Sequence, residues 1–189
     1  MTILRSSTDP RWVEVALSDL DATLGDHAHC EKKAAATAVK LVADNADKPD
    51  LVRKLARLAQ EETQHFLAVL NELAQRGRTL PPDTGDPYVG SLLRLAGGGR
   101  SRLTEQLLVC ALVEARSCER LTLLGEALVD PRLAEFYRRL AQSEAGHEQL
   151  FVGLARAHGA GIDVDRRLTE MAGEEAAVVA ALPLLPRIH

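Results

Sequence analysis

The chain has 189 residues, 46% of them hydrophobic and 26% charged, which indicates a folded globular protein rather than a disordered one. Aromatic residues make up only 3% and the net charge is -4, so neither a β-sandwich nor a broadly basic nucleic-acid surface is expected. The three cysteines include no CxxC pair, so neither a disulfide framework nor a four-cysteine iron site is expected. The start, MTILRSSTDPRW, does not resemble a signal peptide, and no run of about 18 apolar residues predicts a membrane span. We therefore expect a cytoplasmic protein with reduced thiols and no membrane contact.

Helical periodicity and capping residues predict helices along the whole chain, with no strand. Asp9-Pro10 is typical of an N-cap followed by the first helical residue. Asp50 is expected to cap the second long helix and Ser101 the third. Three segments rich in turn residues, NADKPD, GRTLPPDTGDP and GGGR, separate the helices. The predicted helices cover residues 10–18, 19–44, 50–76, 88–96, 101–128, 131–158 and 163–181.

Four of these helices are long, and the connection between the second and the third of these long helices is long as well. This pattern predicts an all-α fold, a ferritin-like four-helix bundle with a crossover connection and extra short helices at its N-terminal and C-terminal ends. Neither the first pair of long helices nor the second pair could bury its apolar stripes alone. We therefore expect residues 1–189 to form a single domain.

Two copies of a Glu-x-x-His motif lie on the second and fourth long helices. The first is Glu62 and His65 in EETQHF, and the second is Glu144 and His147 in EAGH. Residues three apart on a helix lie about 60° from each other in projection, so both side chains of a motif can face the bundle interior. A di-metal carboxylate bundle needs two such motifs and one further glutamate from each of the other two helices.

The further glutamates are predicted from spacing. Glu31 is the only glutamate of the first long helix and lies among alanines, 31 residues before Glu62. The third long helix offers Glu105, Glu114, Glu119 and Glu126. Glu114 precedes Glu144 by 30 residues, whereas Glu119 would precede it by only 25. We therefore predict Glu114.

The predicted metal ligands form two half-sites that repeat at an offset of 82 or 83 residues: Glu31, Glu62 and His65, then Glu114, Glu144 and His147. Four carboxylates and two imidazoles suit two iron ions, or manganese, and leave positions for O2. A lone Glu-x-x-His is usually a solvated helix face, so a metal-free helical bundle is the alternative.

Several residues are weaker candidates for roles around this site. His27 lies one turn before Glu31 and is a candidate for orienting it. Cys30 and Cys118 flank the predicted ligands, although small thiols that fill helix interfaces explain them as well. Arg94, Arg100 and Arg102 surround the GGG segment and are candidates for contact with an anionic substrate, which ordinary loop solvation explains equally well.

Two stretches, DHAHCEKKAAATA at 26–38 and VEARSCERL at 113–121, resemble the signatures of the tRNA 2-methylthio-N6-isopentenyladenosine hydroxylase (MiaE) family. The resemblance extends over nearly the whole chain, including the tryptophan near the start and the closing PRIH. It implies a non-haem di-iron monooxygenase that uses O2 to hydroxylate the isopentenyl group of a modified adenosine beside the tRNA anticodon. It also implies that the six predicted ligands bind iron and that a separate reductase or ferredoxin supplies electrons.

Two other functions fit a ligand set of this kind. A ferritin-like ferroxidase would store or detoxify iron and take up many ions per chain. A di-iron oxygenase on another small substrate would not depend on tRNA.

Overall fold

The structure is a computed structural model that describes residues 2–97, 102–159 and 161–189, and within these ranges it contains seven α-helices and no β-strand. The helices are α1 (Arg11–Ser18), α2 (Leu20–Asp44), α3 (Pro49–Gln75), α4 (Pro87–Leu95), α5 (Arg102–Ala127), α6 (Pro131–His158) and α7 (Val164–Ala181). The helical fold class predicted from the sequence is confirmed. None of the helices in these ranges combines the length and apolar character needed to cross a membrane.

Aspartate side chains cap four of the helices. Asp19, Asp86, Asp130 and Asp163 each accept a hydrogen bond from a backbone N–H in the first turn of α2, α4, α6 and α7. These bonds satisfy donors that have no partner inside a helix. They explain why the predicted boundaries of these helices agree with the structure to within about two residues.

The predicted cap of α3 is wrong. Lys48 is the N-cap and makes no side-chain capping bond, Pro49 is the first helical residue, and Asp50 lies inside the first turn. Proline is favoured at this first position because its missing N–H would have no partner there. A carboxylate in the first turn still interacts favourably with the helix dipole. The predicted cap of α5, Ser101, lies outside the described residues.

The described residues fall into two compact units. The α2–α3 unit comprises Val15–Thr84 and Leu185–Ile188. Asp21, at the start of α2, pairs with Arg76, just after the end of α3, so the two helices run antiparallel. The aliphatic residues that α2 and α3 bury are all at most 3% exposed: Leu24, Ala28, Leu41, Leu51, Leu55, Leu58, Val69 and Leu73.

The α5–α6 unit comprises Met1–Glu14, Gly85–Leu184 and His189. Its two long helices are joined by a three-residue connection, which makes them antiparallel neighbours. They pack closely at Gly125, where a Cβ atom would lie 2.9 Å from Cγ of Arg138 and 3.2 Å from the backbone oxygen of Ala134. A residue without a side chain is therefore required at this point on α5.

A buried ion pair ties α5 to α7 and α4 within the α5–α6 unit. Arg116 on α5 donates from Nε and Nη2 to the Glu175 carboxylate on α7, at 2.9 and 3.0 Å, and both side chains are 0% exposed. The Tyr88 hydroxyl on α4 donates to the same carboxylate at 2.9 Å. Because Arg116 is two residues beyond Glu114, this network fixes α5 where a predicted ligand lies.

Candidate metal centre

The α2–α3 unit brings three of the predicted ligands together. Glu31 comes from α2, and Glu62 and His65 come from α3. Each offers one ligand atom, and these atoms lie within 4.8 Å of one another. Nδ1 of His65 is 3.7 Å from Oε2 of Glu31 and 3.6 Å from Oε2 of Glu62. The Glu62 side chain is 0% exposed and that of Glu31 6%.

His27 contacts this half-site directly. Its Nε2 lies 2.7 Å from Oε1 of Glu31, one helical turn further along α2, and the residue is 1% exposed. The imidazole N–H donates to the carboxylate. This bond restricts the rotation of the Glu31 carboxylate and leaves Oε2 facing His65.

The α5–α6 unit contains the other three predicted ligands in a matching arrangement. Glu114 comes from α5, and Glu144 and His147 come from α6. Their ligand atoms also lie within 4.8 Å of one another, and Nδ1 of His147 is 3.4 Å from Oε2 of Glu144. All three residues are at most 6% exposed.

This concentration of buried acid groups has a physical cost. Burial removes these carboxylates from water, and in each unit two of them are held within 4.8 Å of each other. Both effects are unfavourable unless positive charge is bound. Carboxylate oxygens and imidazole nitrogens are hard to borderline donors that suit iron and manganese. Each unit therefore has the composition, burial and spacing of a candidate site for a metal with carboxylate and imidazole ligands.

Two other glutamates on α5 are bound by cations instead. Glu105 accepts from Nε and Nη2 of Arg167, both at 2.9 Å, and these bonds lower the pKa of its carboxyl group. Glu119 accepts from Nη1 of Arg116 at 2.5 Å and from the Thr8 hydroxyl at 2.5 Å. Glu114 differs from both because it lies with Glu144 and His147.

The cysteines that flank the predicted ligands make other contacts. The Cys30 thiol donates to Oδ2 of Asp26 at 3.7 Å. Cys118 lines a groove of about 380 Å³ between α5 and α6, together with Ala115, Ala145 and Glu148. Burial raises the pKa of the Cys118 thiol, and the nearby carboxylates of Glu148 and Glu144 raise it further. The thiol is therefore neutral at pH 7 in the absence of metal.

The arginines predicted to contact an anionic substrate are only partly described. Arg94 is exposed at the end of α4, where Nη2 donates to the Ser91 hydroxyl at 2.8 Å. Arg102 is exposed as the first residue of α5. Arg100 lies outside the described residues. A shared anionic site for these arginines stays a prediction.

Sequence analysis missed two buried polar groups near the half-sites. Glu175 is 0% exposed and holds Arg116, but it lies 59 residues away along the chain and belongs to no motif. His29 is 6% exposed and its Nε2 lies 2.8 Å from the backbone oxygen of Pro81. The sequence signals Glu175 and His29 only as polar residues on the apolar stripes of their helices.

The fold matches a solved structure closely. The Synechococcus protein described as Protein 43 with aldehyde deformylating oxygenase activity matches with a TM-score of 0.94 and 36% sequence identity. The match covers 100% of this chain and 96% of that chain. The chain is thus a helical protein of the ferritin-like class, which confirms the predicted fold.

Sequence comparison defines the family within that class. A family profile described as tRNA-(MS[2]IO[6]A)-hydroxylase (MiaE) matches residues 1–189. A Pseudomonas putida protein is 40% identical over 160 residues, which are 84% of this chain and 78% of that protein. A Salmonella typhimurium protein is 33% identical over 107 residues, which are 56% of this chain and 39% of that protein. Both are named tRNA 2-(methylsulfanyl)-N(6)-isopentenyladenosine(37) hydroxylase. The chain belongs to the MiaE family, as its two signature stretches predicted.

Proposed function

We propose that this protein hydroxylates the isopentenyl group of 2-methylthio-N6-isopentenyladenosine in tRNA, using O2 and electrons from outside the chain. The observation that supports this most strongly is the family match over residues 1–189. It occurs on a chain in which each of two units buries one glutamate beside a Glu-x-x-His motif. We place the protein in the cytoplasm, since its proposed substrate is tRNA.

In this proposal the six predicted ligands bind two iron ions, with manganese as the alternative. The ligands are Glu31, Glu62, His65, Glu114, Glu144 and His147. When bound, the iron pair supplies reductive activation of O2, so that one oxygen atom enters a C–H bond and the other leaves as water after taking up two electrons and two protons.

The protein's own residues would position the ligands and keep water out. His27 holds one oxygen of Glu31 through the bond of 2.7 Å. The His65 side chain is 16% exposed, whereas the other five ligand residues are at most 6% exposed. The substrate is therefore expected to approach from the His65 side. Exclusion of water by the buried ligands protects a reactive oxidant from side reactions.

The groove beside Cys118 is a candidate for the prenyl chain. Its volume of about 380 Å³ lies within the range of small-molecule pockets, roughly 300–1,000 Å³. Ala115 and Ala145 are small and adjacent in sequence to the predicted ligands Glu114 and Glu144. A larger side chain at Ala115 should therefore reduce turnover of the prenylated nucleoside without removing the metal.

The cysteines bear on the source of the electrons. Cys30, Cys110 and Cys118 are all free, and three separated cysteines cannot form a four-cysteine iron–sulfur cluster. We propose that a separate reductase or ferredoxin reduces the iron.

The experiment that tests this function is deletion of the gene followed by mass spectrometry of tRNA nucleosides. Loss of the hydroxylated nucleoside with accumulation of its prenylated precursor is expected. Restoration by the wild-type gene, but not by a gene carrying Glu114→Ala, would link the reaction to the metal site. Persistence of the hydroxylated nucleoside would refute the assignment.

A second function is favoured by one observation. The Synechococcus protein of known structure has aldehyde deformylating oxygenase activity and matches over the whole chain. If this chain acts on an aldehyde instead, the purified iron-loaded protein should consume O2 with an aldehyde and a reductant but show no turnover of tRNA.

A further inference from the structure

Two aspartates in the α2–α3 unit are each held between two cations. Asp21 accepts from Nε of Arg76 at 2.5 Å and from Nε of Arg78 at 2.6 Å. These hydrogen bonds lower the pKa of the Asp21 carboxyl group, so it is ionised at neutral pH. Two arginines against one carboxylate leave a net charge of about +1 at this point.

The second cluster repeats the arrangement with lysines. Oδ2 of Asp83 is 3.1 Å from Nζ of Lys32, and Oδ1 is 3.0 Å from Nζ of Lys33. Nζ of Lys32 also lies 2.9 Å from Nδ1 of His29. Two lysines against one carboxylate again leave a net positive charge at this point.

The segment after α3 aligns the two clusters along α2. Arg78 contacts Asp21, the backbone oxygen of Pro81 contacts His29, and Asp83 contacts Lys32 and Lys33. The segment thus follows α2 in one direction. Asp21 and Lys32 are 11 residues apart on this helix, or about 16 Å at 1.5 Å per residue. We call the row formed by Lys32, Lys33, Arg76 and Arg78 the basic strip.

The two arginines of the basic strip keep their Nη groups available to bind a ligand. Both use Nε for Asp21, and within the described ranges of the chain their Nη atoms make no hydrogen bond. The Arg78 and Arg76 side chains are 62% and 39% exposed. A guanidinium group held at Nε presents two N–H groups in the planar fork that matches a phosphate.

We propose that the basic strip binds backbone phosphates of the RNA substrate; this rests on the proposed function. Lys32 and Lys33 directly follow Glu31 on α2, so the strip passes the level of the α2–α3 half-site. RNA backbone bound along about 16 Å of this helix would keep the nucleotide to be modified near the metals. The strip also explains how a chain with a net charge of -4 can bind an anionic polymer.

An acidic electron-transfer protein is the competing partner for a basic surface. Binding energy at protein interfaces usually concentrates in buried aromatic or aliphatic anchors, whereas contacts to a nucleic-acid backbone are mainly with Lys and Arg. The strip consists of four long cations in a row, which favours the RNA backbone.

The test is fluorescence anisotropy of a labelled, unmodified anticodon stem-loop RNA, measured at several salt concentrations. The test variant is the double change Arg76→Gln and Arg78→Gln. The matched control is Arg53→Gln and Arg57→Gln, two exposed arginines of α3 that lie about 28 Å or more from Arg76 along that helix. The control makes the same change in net charge on the same unit.

For the test variant, we expect weaker binding and a salt dependence that is less steep by about 0.7–0.9 per lost phosphate contact. The control should bind like the wild type. Asp21→Asn removes the carboxylate but keeps both arginines, so it should bind at least as tightly as the wild type. If the arginines only stabilise the structure through their pairs with Asp21, Asp21→Asn should weaken RNA binding as the double variant does.

Three outcomes would overturn the proposal in different ways. If the wild type binds the RNA and both double variants bind it equally well, the basic strip is not the RNA surface, and the proposed function is untouched. If only the affinity for a ferredoxin falls, the strip belongs to the protein partner. Failure of the wild type to bind the unmodified RNA at all would overturn the strip as a phosphate-binding surface, whereas the proposed function would still be decided by the tRNA nucleoside analysis.

Discussion

His27 Nε2 lies 2.7 Å from Glu31 Oε1 on the same face of α2, and both side chains are almost completely buried. A buried imidazole that donates to a predicted metal ligand fixes the orientation of that ligand. This relationship makes His27 a positioning residue for the α2–α3 half-site.

Replacement of His27 by Phe should lower the affinity for iron by about 10–100-fold, the usual cost of losing a partner that orients a metal ligand. The measurement is titration of the metal-free protein with ferrous or cobaltous ion. His29→Phe is the control, since His29 bonds to the backbone of Pro81. His27→Gln keeps an N–H donor and should recover part of the affinity. Equal losses in His27→Phe and His29→Phe would contradict the positioning role.

Glu175→Gln should destabilise the protein by about 3 kcal/mol, because the fully buried Arg116 would stay charged, lose the carboxylate that accepts from its Nε and Nη2, and keep only Glu119, among the described residues, as an anionic partner. The measurement is urea unfolding. Asp165→Asn is the control, since its pair with Arg156 is exposed, with side chains 69% and 58% accessible. That change should cost at most about 1 kcal/mol. Similar losses of unfolding free energy for both variants would show that the buried pair contributes no more to stability than the exposed one.

Tyr88 should make stability fall at alkaline pH. Burial raises the pKa of its hydroxyl well above the ordinary value of 10.0, and the Glu175 carboxylate raises it further. Above about pH 10 the unfolded chain loses this proton while the folded protein retains it, so the free energy of unfolding decreases as the pH rises. Tyr88→Phe should flatten the decrease between pH 10 and 11 in thermal melts. A decrease as steep as in the wild type would rule out Tyr88 as its source.

Gly125→Ala should destabilise the α5–α6 unit by about 1–3 kcal/mol, because the added methyl group would overlap Arg138 and crowd the backbone of Ala134. Gly153→Ala, at an exposed position of α6 where a Cβ meets nothing within 4 Å, should stabilise by about 0.4–1 kcal/mol. Opposite shifts in the melting temperature are expected. Equal shifts would mean that α5 and α6 are less closely packed at Gly125.

Local patterns in the sequence were sufficient to predict the helices. The aspartates at 19, 86, 130 and 163 mark helix starts by accepting hydrogen bonds from backbone N–H groups only two or three positions away, so these signals are visible without tertiary structure. The exception is α3, where Pro49 and Asp50 both signal a start. The proline takes the first helical position, and the aspartate does not cap.

The candidate ligands were accessible to sequence analysis for a similar reason. Glu-x-x-His spacing is set by the helix itself, and Glu31 and Glu114 follow from the repeat of the motif. Contacts between distant segments were not accessible. Glu175 meets Arg116 across 59 residues, and the basic strip forms because the segment after α3 folds back along α2. No local pattern encodes either arrangement.

We propose above that this chain uses a di-iron site to hydroxylate prenylated tRNA. The most direct measurement incubates the iron-loaded protein with a chemical reductant, 18O2 and tRNA that carries the prenylated adenosine, and then analyses the nucleosides by mass spectrometry. We expect a hydroxylated nucleoside with one 18O atom from the wild type and from Glu119→Ala, and none from Glu114→Ala. Absence of the product from the fully loaded wild type, or an oxygen atom derived from water, would contradict it.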